Sequence, residues 1–447
     1  MEPPMNTFRN RNATQAFLFS SSKDPLAGDS SAGPEYREAE IMLPDGQFPD
    51  MHDRDGLIDA VTQKMAHVPA FQVLSVDIEA AVRAVGTPAA KLSVFISAVA
   101  PLAEFCHQHK GLWGQIGCFR FACALEHDGD DEADLADALF DAYKQASQPL
   151  ITMGMAVYPT LTDTPGEIID NADMALDHGA FLGIGTLTRF DAVTMNINGD
   201  RFYQAGDMEK AMNAFKKGLR LDPMDANLHN SLGVCYGILG EFDNAVSAFE
   251  TAIALSPTEV MAIYNKGYVL LSQGKTQAAM TFFMEANALE PDVFEIVYHI
   301  GQTHMQMKNP DMARPFLESA VRINSRSAPA AALLGECFEA LDLTVDAIQS
   351  YKQAVKINPH DAASLSALGY LYACVGESLD VAMLFCEQSV ELSPENGLFH
   401  HRLGRVCLLR DRMEDALAAF ATAQSLGYDN TSWIETVRER QLSVKVS

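Results

Sequence analysis

The chain has 447 residues, an apolar fraction of 48% and a formal net charge of −27, so it is long enough for two or three folded domains. Phosphate backbones and anionic lipid repel a charge of that sign and size, which argues against nucleic-acid and membrane-surface binding. No signal-peptide core, no run of about 18 apolar residues and no CxxC spacing among the eight cysteines occurs, so we expect a cytoplasmic protein with reduced thiols and without a membrane span, disulfide, metal or cofactor.

Residues 1–47 are rich in Ser, Pro, Asp and Gly and lack hydrophobic periodicity, which is typical of a flexible tail. Residues 48–191 then alternate between short apolar runs and helical patterns. This order predicts an α/β domain with a single sheet and helices. The predicted strands are 73–78, 150–158 and 185–190 with a hairpin over 112–125, and the predicted helices are 89–107, 135–146 and 165–181.

Short strings in this region resemble the diguanylate cyclase (GGDEF) domain in their order and spacing. They are Asp55-Gly56-Leu57, Val76-Asp77-Ile78-Glu79, Gly114 to Phe121 at the hairpin, Ile151 to Ala156, Ala172 to Leu176, and Gly183. The resemblance implies a nucleotide-cyclase-like sheet with helices. That family joins two GTP molecules into cyclic di-GMP, using metal ions held at two acidic positions.

The positions that carry the family's chemistry are mostly replaced. Asp77 keeps one metal-binding acid, but the second acidic position is Phe119, the next acid is Arg120, and the second glycine is Cys118. Mg²⁺ prefers hard oxygen ligands, which a phenyl ring does not supply. The family's guanine-holding pair, phosphate-binding lysine and inhibitory-site pair are also lost, and Val85 and Gly86, Ala180, and Gln108 and Gly111 stand there. We therefore expect a vestigial site without catalytic, cofactor-binding or metal-binding residues.

Two interpretations of this domain remain open beside that of a residual cyclase. In the first it serves as a docking or homodimerisation module. In the second it senses GTP or cyclic di-GMP without turnover, and Arg120 touches phosphate in place of a metal. Asp77 alone does not favour sensing, because an Asp at the end of a strand often caps a turn.

The second half of the chain is periodic. Prolines recur at one constant interval at Pro223, Pro257 and Pro291, and return near that period at Pro359 and Pro394. Small and aromatic residues repeat within the period, as in Leu232-Gly233, Tyr236, Gly240, Ala245, Phe249 and Ala252. The pattern resembles the tetratricopeptide (TPR) repeat, a helix–turn–helix unit of about 34 residues. The resemblance implies seven units over 192–430, with a capping helix and tail over 431–447.

TPR proteins present the first helix of each unit on a concave surface, and helical spacing predicts which side chains face it. The predicted peptide-groove residues are Asn230, Tyr264, Asn265, Tyr268, Tyr298, His299, Gln302, His401, Arg402 and Arg405. Amides suit an extended peptide backbone, and tyrosines supply contact area at low entropic cost. The tyrosines equally suit a role in filling space between repeats. Arg402 and Arg405 suit either an acidic ligand tail or neighbouring Glu and Asp side chains.

The sequence therefore predicts a non-catalytic, cytoplasmic adaptor, bacterial in origin, with a degenerate GGDEF-like domain before an all-α TPR solenoid. Its partner is a protein or peptide held in the TPR groove. The alternative is a nucleotide sensor that controls partner binding without turnover.

Overall fold

A computed structural model describes residues 47–127, 132–145, 150–376 and 378–446. The predicted flexible tail, apart from Gln47, lies outside these residues. The chain divides into two compact units between Ala262 and Ile263. The first unit holds a sheet and the first helical repeats, and the second holds the later repeats.

A mixed five-stranded sheet forms the centre of the first half. Its strands in chain order are β1 (Phe71–Asp77), β2 (Leu112–Gln115), β3 (Arg120–Glu126), β4 (Thr152–Tyr158) and β5 (Leu187–Arg189). They lie side by side in the order β2-β3-β1-β4-β5, and only the β4–β5 pair is parallel. The central strand β1 is apolar along most of its length because both of its faces are covered.

Helices cover both faces of the sheet. They are α1 (Arg54–Lys64), α2 (Glu79–Arg83), α3 (Pro88–Gln108), α4 (Glu132–Gln145) and α5 (Glu167–Leu182). Successive side chains of a strand point to opposite faces. Leu74 and Val76 accordingly pack in a core with α3 and α4, whereas Phe71 and Val73 pack in a second core with α1 and α5. The α/β sandwich follows the predicted element order, to which the structure adds α1 and α2.

Helix α5 lies unusually close to β4. A Cβ atom on Gly154 of β4 would stand 2.2 Å from the carbonyl oxygen of Ala172 in α5. Only glycine permits this approach, which carries the acidic face of α5 towards the end of the sheet.

Helix α3 is the one described helix that is long and apolar enough to cross a membrane by length and composition. No span was expected, because the sequence contains no run of about 18 uninterrupted apolar residues. Its Phe95, Val99 and Leu102 are buried in the core beneath the sheet, which is how α3 fits the α/β sandwich.

The helical repeats begin within the first unit. Two pairs follow the sheet: α6 (Ala192–Gln204) with α7 (Met208–Leu221), and α8 (Ala226–Ile238) with α9 (Phe242–Leu255). Each pair is held together by a small residue against an aromatic ring. A Cβ on Gly199 would stand 2.2 Å from the ring of Phe215, so the two helices of the first pair meet at that glycine.

The second unit continues the same architecture. The division between the units falls inside α10 (Val260–Ser272). The helices that follow are α11 (Thr276–Leu289), α12 (Phe294–Gln306), α13 (Pro310–Ile323), α14 (Ala328–Ala340), α15 (Thr344–Ile357), α16 (Ala362–Cys374), α17 (Leu379–Leu392), α18 (Gly397–Leu409), α19 (Met413–Ser425) and α20 (Thr431–Val446). Within the unit α16 lies beside α18, so first helices of successive pairs are neighbours. Val437 of α20 is buried in the last core, where Trp433 also packs.

The turn between the two helices of a pair is left-handed at one repeated position. Glycine holds it with a φ of 72 to 79° at Gly206, Gly240, Gly274 and Gly376, whereas Lys308, Asp342 and Asp411 adopt a φ of 57 to 59°. A side chain in this region costs about 1 kcal/mol or more. Three pairs therefore carry local strain that the others avoid.

Candidate functional site

The vestigial site predicted from the sequence is an internal ion-pair cluster. Arg120 begins β3 directly opposite Asp77, which ends β1. Its Nε lies 3.3 Å from Oδ2 of Asp77, its Nη1 2.9 Å from Oδ1 of Asp173, and its Nη2 2.7 Å from Oδ1 of Asp177. Asp173 and Asp177 stand one turn apart on α5, so both face the guanidinium.

The cluster is partly withdrawn from water. The three carboxylate side chains are between 18% and 21% exposed and the guanidinium side chain is 30% exposed. Burial alone would lower the pKa of Arg120, but Asp177 and Asp173 hold it above its usual range. Burial raises the pKa of Asp173 in spite of the attraction of Arg120, and Asp177 adds to the rise. Arg120 therefore stays protonated, and two of the three carboxylates that surround it, Asp173 and Asp177, belong to α5.

The other residues of the vestigial site have structural roles. Asp77 accepts a hydrogen bond at Oδ1 from the backbone N–H of Glu79 at 2.7 Å, as a turn-capping Asp does. Phe119 packs edge-on against Phe95 and contributes to the core, while Cys118 is exposed. Over the described ranges, no group of three or more His, Cys, Asp or Glu side chains is placed to hold a metal ion.

An open cavity of about 610 Å³ lies beside the β2–β3 turn. Gln115, Gly117 and Cys118 line it together with Arg54 of α1. Arg54 donates to the carbonyl oxygen of Ile116 at 3.2 Å and pairs with Asp170 at 2.6 Å. The two side chains of that ion pair are 44% and 47% exposed. An ion pair this open to water adds little stability, so the Arg54 guanidinium can leave Asp170 at small cost.

Ionic contacts also join the sheet region to the first helical pair. Lys217 of α7 places Nζ 2.8 Å from Oδ2 of Asp163 and 2.9 Å from Oδ1 of Asn171, and both side chains of the ion pair are largely buried. Asp177 gives its second oxygen to Arg201 of α6. The first pair is therefore built onto the α/β sandwich.

Six of the ten predicted groove residues are buried. They are Asn230, Tyr264, Asn265, Tyr298, His299 and His401. These side chains pack against neighbouring helices, so the interpretation that aromatic residues fill interhelical space fits Tyr264 and Tyr298. Helical spacing placed them on the first helices but could not separate the groove side of a helix from its packed side.

Two of the six buried residues, His299 and His401, form hydrogen-bond contacts within the protein. Nδ1 of His299 lies 3.0 Å from the hydroxyl oxygen of Tyr264 and 2.9 Å from the carbonyl oxygen of Glu295. Burial lowers the pKa of His299 to about 4, so it is neutral near pH 7. His401 contacts Oδ1 of Asn430 at 2.5 Å and stacks near Tyr428, which fixes the segment leading into α20.

The four remaining predicted residues are partly exposed: Tyr268, Gln302, Arg402 and Arg405. The two arginines lie one turn apart on α18. Arg402 pairs with Glu339 at 3.0 Å, and its guanidinium is 5.6 Å from the ring of Tyr370. Arg405 stacks 4.0 Å from the ring of Trp433. Of the two roles considered for Arg402, pairing with a neighbouring glutamate is the one observed.

Arg402 borders a groove of about 400 Å³ between α14, α16 and α18. We call it the α14–α18 groove; it is lined by Glu336, Glu339, Ala340, Tyr351, Ala363, Ala367, Leu398, Phe399 and Arg402. The hydroxyl of Tyr351 donates to Oε2 of Glu339 at 3.0 Å, so Glu339 is held from two sides.

Sequence reasoning missed the acidic members of both clusters. Asp173 and Asp177 are spaced four apart, and Glu336 and Glu339 three apart, so each pair shares a helix face. That spacing was available as a signal, but only the fold shows which basic side chain each pair meets.

Three family models match the helical region. A TPR repeat model matches residues 199–238, and two tetratricopeptide repeat models match 239–292 and 270–337. Residues 199–337 contain tetratricopeptide repeats. The TPR prediction is thereby confirmed for this part of the chain, whereas these three models do not cover the region that resembles a GGDEF domain. No curated protein matches the chain.

Several solved TPR structures are similar to parts of this chain. YrrB, described as a TPR protein with an unusual peptide-binding site, is 20% identical over 42% of this chain and 97% of its own, with a TM-score of 0.39. PilF of Pseudomonas aeruginosa is 25% identical over 46% and 94%, with a TM-score of 0.44. A tetratricopeptide repeat protein of Parabacteroides merdae is 19% identical over 55% and 96%, with a TM-score of 0.39.

Proposed function

We propose that this chain is a non-catalytic, cytoplasmic adaptor that holds a protein or peptide partner in its TPR region. The observation that carries the proposal is the α14–α18 groove, which has a volume of about 400 Å³ and is lined by three neighbouring first helices together with Tyr351 of α15. TPR arrays are generally protein-interaction scaffolds, because stacked repeats create extended binding surfaces.

The lining of the groove suits a peptide. Phe399, Leu398 and Ala367 offer an apolar floor, and Arg402 and Tyr351 belong to the residue types that dominate binding energy at interfaces. Glu339 fixes both polar side chains before a ligand arrives, so little side-chain entropy is lost on binding.

For the α/β domain we propose a degenerate GGDEF-like module that docks on the first TPR pair. Terminal repeats need a covering element, since one face of the first repeat has no preceding neighbour. The contacts of Lys217 with Asp163 and of Arg201 with Asp177 support this role. The same domain remains our candidate for homodimerisation, which light scattering of the full chain tests against the monomer mass.

The alternative function is nucleotide sensing by the α/β domain. Arg120 would have to leave three carboxylates to meet a phosphate, which opposes sensing there. The cavity of about 610 Å³ near Arg54 is the observation in its favour. Calorimetry of the full chain with GTP and with cyclic di-GMP tests it. Saturable heat that Arg54→Met abolishes would establish a sensor, and absence of heat would reject one.

Panning of a random peptide display library on the full chain tests the adaptor proposal. Ala363→Trp fills the groove from an exposed position, and Ala418→Trp makes the same change on exposed α19 as a control. We expect peptides that bind the wild type and Ala418→Trp but not Ala363→Trp. Peptides that bind all three proteins equally, or a failure to enrich any, would contradict the proposal.

A further inference from the structure

The α14–α18 groove combines an apolar floor with one acidic wall. Phe399 and Ala367 are buried at the floor, with Leu398 beside them. Glu336 and Glu339 stand three residues apart on α14, so both carboxylates border the same cavity. The two carboxylates differ in what they already contact.

Glu339 is neutralised within the protein. Arg402 donates to Oε1 at 3.0 Å and the hydroxyl of Tyr351 donates to Oε2 at 3.0 Å. The Arg402 side chain is only 14% exposed, so this pair is shielded from bulk water. Arg402 is thereby withdrawn from any acidic ligand, and Glu339 has little capacity left for a basic one.

Glu336 has no such partner. Within residues 47–127, 132–145, 150–376 and 378–446, its side chain has no hydrogen bond and no ion pair. The side chain is exposed, but protein atoms beside it withdraw water from one side. This partial burial is the largest cause of the raised pKa of Glu336. The charges of Glu339 and Asp361 raise that pKa further, whereas the charge of Arg402 lowers it.

The acidic side chains near Glu336 cannot serve as counter-charges for its carboxylate. Asp361 accepts hydrogen bonds from the backbone N–H and the hydroxyl of Ser364, where it caps α16. A cation brought beside Glu336 would supply the ion-pair partner that this carboxylate lacks among the described residues. One carboxylate does not make a metal site, since a hard cation needs several oxygen ligands. A basic side chain needs only one.

We propose that Glu336 selects the partner of the TPR groove: a peptide in which a lysine or arginine side chain meets Glu336 and an adjacent apolar side chain lies on Phe399 and Leu398. This inference rests on the proposed function. The charge of −27 on the chain favours the same ligand class, because it attracts cationic segments and repels acidic ones.

Fluorescence anisotropy with three pools of labelled short peptides tests the inference on the full chain. The pools share randomised Ala, Ser and Gly positions and differ in a central Lys-Leu, Gln-Leu or Glu-Leu. We expect the wild type to bind the Lys-Leu pool about tenfold more tightly than the Gln-Leu pool, the effect of a charged hydrogen bond. Glu336→Gln should remove that preference, and Glu336→Lys should transfer it to the Glu-Leu pool.

Glu391→Gln is the matched control, because it removes one exposed charge on α17, away from the groove. It should leave the preference unchanged. Equal binding of the Lys-Leu and Gln-Leu pools that Ala363→Trp abolishes would overturn the role of Glu336 while supporting peptide binding. A Lys-Leu preference that survives Glu336→Gln would overturn it as well. Failure of every pool to bind would count against the proposed function itself.

Discussion

Lys217 of the first helical pair lies 2.8 Å from Asp163 of the α/β domain, and both side chains are largely buried. Asn171 completes the contact by donating to Oδ2 of Asp163 at 2.7 Å and accepting from Lys217 at 2.9 Å. A buried pair of this kind matters most when one partner is removed, because the other charge is then left in a poorly hydrated place. The junction between sheet and repeats is therefore specific.

Replacement of Lys217 by Met should destabilise the first unit by about 3 kcal/mol, because Asp163 would lose its counter-charge. Amide hydrogen exchange of α7 in the full chain measures the change. Lys210→Met is the control: it breaks a solvent-exposed pair with Asp207 on the same helix. Equal exchange rates in the two variants would show that the junction is unimportant.

Replacement of Arg120 by Met should leave three carboxylates facing one another and cost about 2 kcal/mol near pH 7. Burial already raises the pKa of Asp173 and Arg120 opposes that rise, so loss of Arg120 should raise the pKa of folded Asp173 further. Folding would then take up protons, so the deficit relative to the wild type should shrink as the pH falls towards the carboxylate range.

Urea unfolding of the wild type and Arg120→Met, followed at neutral and at acidic pH, measures this deficit. Arg83→Met removes an arginine from an exposed pair with Glu79 in the same domain and should change the midpoint little. A deficit for Arg120→Met that is independent of pH would contradict the electrostatic explanation.

The stability of the second unit should fall as the pH drops below about 6.5, the usual pKa of an unfolded histidine. The pKa of folded His299 is lowered to about 4 by burial. Between these values the unfolded chain binds a proton that the folded chain does not, so stability is lost by up to about 1.4 kcal/mol per pH unit.

His299→Gln should flatten that acid dependence, and His360→Gln, at an exposed position of the same unit, should not. Amide hydrogen exchange of α12 across the pH range distinguishes them. An unchanged slope in His299→Gln would assign the acid sensitivity to other groups.

Lys308→Gly should stabilise the fourth helical pair by about 1 kcal/mol, because Lys308 holds a left-handed φ of 58° where other pairs have glycine. The reciprocal change, Gly274→Lys, should destabilise the third pair by a similar amount. Thermal unfolding of the two variants gives the signs. Stabilisation in neither, or in both, would show that the turn position is not strained as the dihedral angles indicate.

Periodic features were predictable from the sequence, whereas the partners of individual side chains were not. The constant interval of the prolines, with small and aromatic residues repeating inside it, predicted the helix–turn–helix units. The element order around β1 followed from alternating apolar runs. Arg120 was identified as a charge reversal, but Asp173 and Asp177 come from a helix much later in the chain, which spacing alone cannot bring to it.

The groove illustrates the same limit. Tyr264 and Arg402 both lie on first helices, yet Tyr264 is buried whereas Arg402 borders the groove. Which side of a helix is covered depends on how its neighbours pack, and this is a tertiary property. The unpaired state of Glu336 also became visible only once Arg402 was placed on Glu339.

Photocrosslinking tests the central claim, that the TPR groove holds a peptide, most directly. A peptide selected on the wild-type chain would carry a benzophenone, and mass spectrometry would map its attachment sites. We predict crosslinks at Ala340, Ala363 and Leu398, which line the α14–α18 groove. Crosslinks confined to the α/β domain or to the second helices α17 and α19 would contradict the account.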